Sequence, residues 1–204
     1  MKPNSNIASR SRTRYIRSVR SADKVQRLEA ERVELRRHVS RHYPLYGEWY
    51  SDPEVWYLSS WTSKPLSVKA VQRLFEEREM SRTDDSFAIF RKDGRDPIGV
   101  ISLMNISDAH ASADLSIIIG RSQDRARGFG AEAIEVLLEY GFERLTLHRI
   151  GLSVFDFNGP AVSLYKRLGF REEGRLRQAI KRDDAFHDAI LMSILISEWR
   201  ESRG

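Results

Sequence analysis

The chain has 204 residues, 34 Lys or Arg against 29 Asp or Glu, and a formal net charge of +5. That length supports one well-buried domain and is marginal for two, and the absence of Cys excludes a disulfide framework, a thiol nucleophile and a Cys-based metal site. The five His are scattered, so no metal is expected; residues 1–30 lack the apolar core of a signal peptide, and no run approaches the ~18 apolar residues of a membrane span, so the expectation is a cytoplasmic protein with no membrane partner.

The charge is unevenly placed. Residues 1–27 hold eight Lys or Arg and one Asp, a local +7, which leaves the remainder near −2. This Ser-rich segment reads as a flexible basic tail ahead of a domain spanning 28–204, either solvated or packed on a neighbouring subunit of a homo-oligomer. Contact with nucleic acid or the ribosome is the alternative. Val25 to Arg32 fits a short helix on the spacing of Val25 and Leu28, and Val33 to Arg36 alternates as a first strand. Between Arg41 and Trp61 lie Tyr43, Tyr46, Trp49, Tyr50, Trp56, Tyr57 and Trp61, in short helical pieces broken by Pro44 and Pro53. Their rings either pack a core or wall a pocket for a cation.

Ser67 is an N-cap for a helix through about Met80, with Val68, Val71, Leu74 and Phe75 on one face. Strands follow at Phe87–Phe90, Ile98–Ile106 and Ser112–Gly120, with turns at 92–97 and 108–110, forming an antiparallel meander. The apolar end of the third, Leu115 to Ile119, leads into Arg125-Ala126-Arg127-Gly128-Phe129-Gly130-Ala131, and an apolar-periodic helix, Phe129 to Arg144, leaves it. A strand–glycine turn–helix unit of this kind leaves backbone N–H groups unpaired where the helix dipole is positive, which favours a phosphate. The loop is neither a P-loop nor a dinucleotide fingerprint, because its Gly spacing fits neither.

Downstream come a strand over Arg149–Phe155, a short helix begun at Asn158 and carrying Ala161 and Tyr165, then Leu168-Gly169-Phe170. Phe170 to Ile180 and His187 to Ile196 form a closing hairpin, and 197–204 reads as a polar end. The pattern Arg-x-x-Gly-x-Gly-Ala, with these elements in this order from about Ser86 to Ile196, resembles the GNAT superfamily of N-acetyltransferases. The Leu147–Ile150 and Gly169–Arg175 segments resemble the branch acting on ribosomal-protein N-termini and polyamines. The resemblance implies one α/β domain: a mixed, strongly twisted sheet, antiparallel meander plus parallel β-α-β unit, flanked by helices.

The resemblance also implies acetyl-CoA as co-substrate and an amine as acceptor. Backbone amides of Arg125, Ala126, Arg127, Gly128, Phe129, Gly130 and Ala131 would hold the pyrophosphate. The pantetheine arm would pair with the strand at Ile117, Ile118 and Ile119, and Asn158 would bond it while also capping its helix. Tyr165 would protonate the departing thiolate, since a phenol's pKa near 10 is close to a thiol's; a core Tyr is the bland reading. Asp114 is the first choice for the base, with His110, Glu79 or a water chain as alternatives. His148 belongs to packing and His187 to the closing hairpin. Without Cys, transfer is direct, in a ternary complex. A domain that binds CoA without catalysis, its basic tail on nucleic acid or the ribosome, is the competing function.

Overall fold

A computed structural model describes residues 24–203. The basic tail assigned to residues 1–27 therefore falls, up to residue 23, outside the described residues. Among the described residues, eight strands form one sheet in the order β1-β2-β3-β4-β5-β6-β8-β7. They are β1 (Arg27–Glu29), β2 (Val33–Arg36), β3 (Asp85–Arg91), β4 (Pro97–Ser107), β5 (Ser112–Ile119), β6 (Arg149–Phe155), β7 (Arg171–Arg182) and β8 (Ala185–Leu195). Every neighbouring pair is antiparallel except β5 with β6. That pair holds only three rungs, Ser112, Ala113 and Asp114 against Arg149, Ile150 and Gly151, and then the strands part.

Among the described residues, six α-helices accompany the sheet: α1 (Tyr43–Ser51), α2 (Pro53–Ser59), α3 (Val68–Met80), α4 (Phe129–Glu139), α5 (Gly159–Arg167) and α6 (Ile196–Glu201). Asp52 caps α2 by accepting from Glu54 N at 2.8 Å, and Ser67 caps α3 by accepting from Ala70 N at 3.3 Å. The segment over 129–144 is helical throughout, its last turn, Tyr140–Arg144, being π-helical. No helix among the described residues is long and apolar enough to cross a membrane.

Two expectations need correction. Residues 25–32 are not a helix: Arg27–Glu29 pairs with β2 across a tight turn closed by Ala30 N to Val33 O at 2.9 Å. Eight residues are too few for a stable isolated helix, and the neighbouring strand offers ladder partners. Residues 197–204 are not merely a polar end. Ile196–Glu201 is helical, with Glu198 accepting from Leu195 N at 3.0 Å and Trp199 buried.

The core lies on both sheet faces. Leu115, Ile134, Leu137, Ile150 and Ile194 pack on the α4 side; Tyr46, Trp49, Val71, Phe75 and Val100 pack under α1 and α3. Tyr43, Tyr46 and Trp49 are thus core residues, and a Cβ on Gly120 would fall inside the Trp49 indole. The second face also buries a polar row. His38 bonds Tyr46 Oη at 3.1 Å and Ser86 Oγ at 2.8 Å, and Ser86 bonds Ser102 Oγ at 2.7 Å.

Burial, with help from the Arg78, Arg37 and His42 charges, pushes the His38 pKa down to about 3. A buried neutral imidazole stabilises the fold above its unfolded pKa near 6.5 and loses that contribution as pH falls toward 3. Wild-type stability should therefore decline between pH 6.5 and 3 more steeply than that of His38→Gln, read as urea midpoints at several pH values; parallel declines would remove His38 from the acid limb.

Candidate active site

Because β5 and β6 stop pairing after Asp114, a cavity of about 550 Å³ opens between them. Leu115, Ser116, Ile117, Ile118 and Ile119 line one wall, and Ser153, Val154 and Phe155 the other. The loop after β5 forms one end, through Arg125, Ala126, Gly128, Gly130 and Ala131. Helix α5 adds Asn158, Ala161, Leu164, Tyr165 and Arg167, while α2 adds Glu54, Val55, Leu58 and Ser59.

The loop is shaped by backbone dihedrals. Ala126 has φ 56° and Gly128 φ 85°, and Gly128 is the N-cap of α4. Only glycine takes the second conformation without strain, and it has no side chain to cap the helix. The first intrahelical bond is Glu132 N to Gly128 O at 3.1 Å, so the amides of Phe129, Gly130 and Ala131 precede the helix ladder.

The side chains of the two loop arginines are not equivalent. Arg125 lines the cavity, but its guanidinium donates to Ile119 O at 3.1 Å and Gly120 O at 2.5 Å and pairs with Glu54 at 2.7 Å. It ties the loop to β5 and α2. Arg127 and Phe129 do not line the cavity: Phe129 is buried in the core, and the Arg127 guanidinium lies 5.4 Å from its ring centroid.

Arg32, which the sequence reading passed over, reaches the loop from the β1–β2 turn. It donates to Arg127 O at 3.1 Å and to Glu132 at 2.9 Å, and its Nη2 would lie 2.9 Å from a Cβ on Gly128. Backbone N–H groups of Arg32 and Val33 reach the same Glu132 carboxylate at 2.5 and 3.2 Å. Burial opposes charge on Glu132, but these donors outweigh it and hold its pKa below the usual carboxylate range.

Tyr165 lines the cavity and is buried, and burial pushes its pKa up to about 12. It stays protonated at neutral pH and can act as a donor. Asn158 caps α5 through Ala161 N at 3.3 Å, and its Nδ2 donates to Leu58 O at 3.0 Å, joining α5 to α2. The far end of α2 is held by the buried Arg182, which donates to Tyr57 O at 3.3 Å and to Ser60 O and lies over Trp56 at 4.2 Å. Asp114 sits outside the lining, exposed on the last rung before the strands part, and accepts from Asn105 Nδ2 at 2.9 Å. His110 and Glu79 are exposed and also outside it.

An amide-lined loop above a forked parallel pair is the arrangement in which a family resemblance becomes testable. Residues 32–171 match the model of the acetyltransferase (GNAT) domain. The chain belongs to the GNAT family. It is 31% identical to a spermidine N(1)-acetyltransferase of Vibrio cholerae over 70% of this chain and 82% of that one. It is 27% identical to an N-acetyltransferase, p20, of Bacillus licheniformis over 86% and 99%. A solved spermidine N-acetyltransferase of Vibrio cholerae, with CoA and spermine, superposes with a TM-score of 0.76 at 25% identity, covering 83% of this chain and 98% of that one. This GNAT enzyme is an acetyl-CoA-dependent N-acetyltransferase.

Glu132→Ala leaves the Arg32 and Val33 N–H groups without their carboxylate. It should cost about 1–3 kcal/mol of stability, measured by urea unfolding at pH 7. The difference from wild type should shrink as pH falls through the depressed Glu132 pKa, because protonation removes the same interaction from the wild type. A pH-independent difference would contradict the role of the charge.

Proposed function

We propose that the fork between β5 and β6 holds acetyl-CoA with its pyrophosphate on the loop amides and its pantetheine arm along β5. A primary amine then attacks the thioester directly. The observation that carries this reading is the coincidence of three features in one cavity: strand backbone at Leu115–Ile119 unpaired on its β6 side, the glycine-capped start of α4, and Tyr165. An amide-bearing arm can pair with a strand edge as another strand would. Helix-start amides suit phosphate oxygens.

In this reading the amine lone pair attacks the acetyl carbonyl carbon, and a backbone N–H near Ile117 polarises the oxygen. The C–S bond breaks, and the electron pair leaves on sulfur. Tyr165 donates its proton, or a hydrogen bond, to that thiolate. Burial raises the phenol's pKa, and the same surroundings raise that of a thiol, so the two stay close enough to share the proton. The attacking nitrogen loses its proton through water, with Asp114, at the point of divergence, as the carboxylate that takes it up. Asn158 borders the arm's path while holding α2. The acceptor enters on the side of Leu58, Ser59, Ser153 and Phe155, and the named relatives support a small amine such as a polyamine, with a protein N-terminus as the other candidate.

The assay is CoA-thiol release from acetyl-CoA against peptides with different N-termini, polyamines, aminoglycosides and amino-sugar nucleotides, with a thiol reagent to which this cysteine-free chain contributes no background. Tyr165→Phe should lower kcat about 100-fold while acetyl-CoA affinity stays near wild type; equal turnover would remove Tyr165 from the mechanism. Gly128→Asp should abolish acetyl-CoA binding, since it adds a Cβ at positive φ and a negative charge among the phosphate-facing amides. Retained affinity would mean that the pyrophosphate lies elsewhere.

A further inference from the structure

We propose that Arg167 receives the ribose phosphate of CoA, the phosphomonoester absent from dephospho-CoA, and that it thereby selects full-length CoA thioesters. The proposal rests on the cofactor reading above. CoA carries two kinds of phosphate. In the pyrophosphate each phosphorus carries one ester linkage, the shared anhydride oxygen and a single charge, and loop amides with a helix start suffice for it. The phosphomonoester carries about −1.5 to −2 at pH 7 and calls for a cationic side chain.

Few cations in the cavity are free to serve. Arg125 is engaged by two carbonyls and by Glu54. Arg127 lies off the lining, against Phe129, and Arg32 is held by Glu132 and the Arg127 carbonyl. Arg167 lines the cavity, is exposed, and has no carboxylate partner among the described residues. It stands on the last turn of α5, the helix that also brings Asn158, Leu164 and Tyr165 to the cavity. A guanidinium there presents a planar fork to a phosphate.

A simpler role exists for a basic residue at this place: Lys and Arg in the last turn complement the helix dipole. The neighbouring Lys166 shares that position on α5 but does not line the cavity. The two residues therefore separate the explanations. A dipole role belongs to both, and a phosphate role to Arg167 alone.

The experiment is calorimetric titration of the full chain with CoA and with dephospho-CoA, for wild type, Arg167→Gln, Arg167→Lys and Lys166→Gln, at two salt concentrations. The wild type should bind CoA on the order of tenfold more tightly than dephospho-CoA, as a charge-assisted contact implies. Arg167→Gln should bind both alike, with dephospho-CoA affinity unchanged. Arg167→Lys should restore part of the preference, Lys166→Gln should keep all of it, and added salt should narrow it. Equal wild-type affinities, or a preference that survives in Arg167→Gln, would overturn the proposal while leaving the loop reading in place. Failure of wild type to bind either compound would overturn the loop reading and this proposal together.

Discussion

Three rungs of parallel pairing between β5 and β6 decide what this molecule can do. A parallel pair needs a crossover, and here the crossover is the loop and α4, so the same chain segment that closes the β-α-β unit also supplies the amides above the fork. Had the pairing continued past Asp114 and Gly151, the backbone of Leu115 to Ile119 would be consumed by β6 and the cavity would not exist. The flanking strands carry the burden of holding the fork open. β4 pairs with β5 as far as Ile119, and β8 pairs with β6 over its full length. Each arm is thus rigid on its outer side and unpaired on its inner side.

The polar groups around the fork divide by task. Guanidinium groups near the loop mostly bond carbonyls and carboxylates of other elements, and so hold the scaffold: Arg125 to β5 and α2, Arg32 to α4, Arg182 to α2. The lining between the arms of the fork is strand backbone, apolar side chains, Ser116, Ser153 and the phenol of Tyr165, with the charged Glu54, Asp124, Arg125 and Arg167 among the residues of the loop, α2 and α5. Arg125 has its charge partnered by Glu54 and two carbonyls, whereas Arg167 is exposed, where water can solvate its charge until an anion binds.

Much of this was legible in the chain. The loop, β6 and the capped α5 are marked by glycine spacing, by an apolar run of strand length and by Asn158 followed by Pro160, signals that depend on few neighbours. The GNAT fold and activity were implied by the resemblance that the order of those elements carries. What local pattern could not supply was the pairing of side chains distant in sequence. Arg125 and Arg127 look equivalent in the loop, yet one is drawn inward by Glu54 and two carbonyls and the other lies outside against Phe129. Asp114 has the residue type a base requires, but it is exposed and off the cavity wall, so a proton reaches it only through water. Arg32 carries no motif at all; its meaning lies in Glu132. The short strand at 27–29 was misread because Val25 and Leu28 satisfy a helical spacing as readily as an extended one, and only the partner strand resolves the choice.

The Arg32–Glu132 contact joins positions one hundred residues apart. Closing so large a loop carries an entropic cost that local contacts do not. The contact thus ties the first hairpin of the sheet to the helix that follows the fifth strand. In the reading proposed above, acetyl-CoA on that loop and the docked N-terminal hairpin favour each other, so the co-substrate would also stabilise the fold.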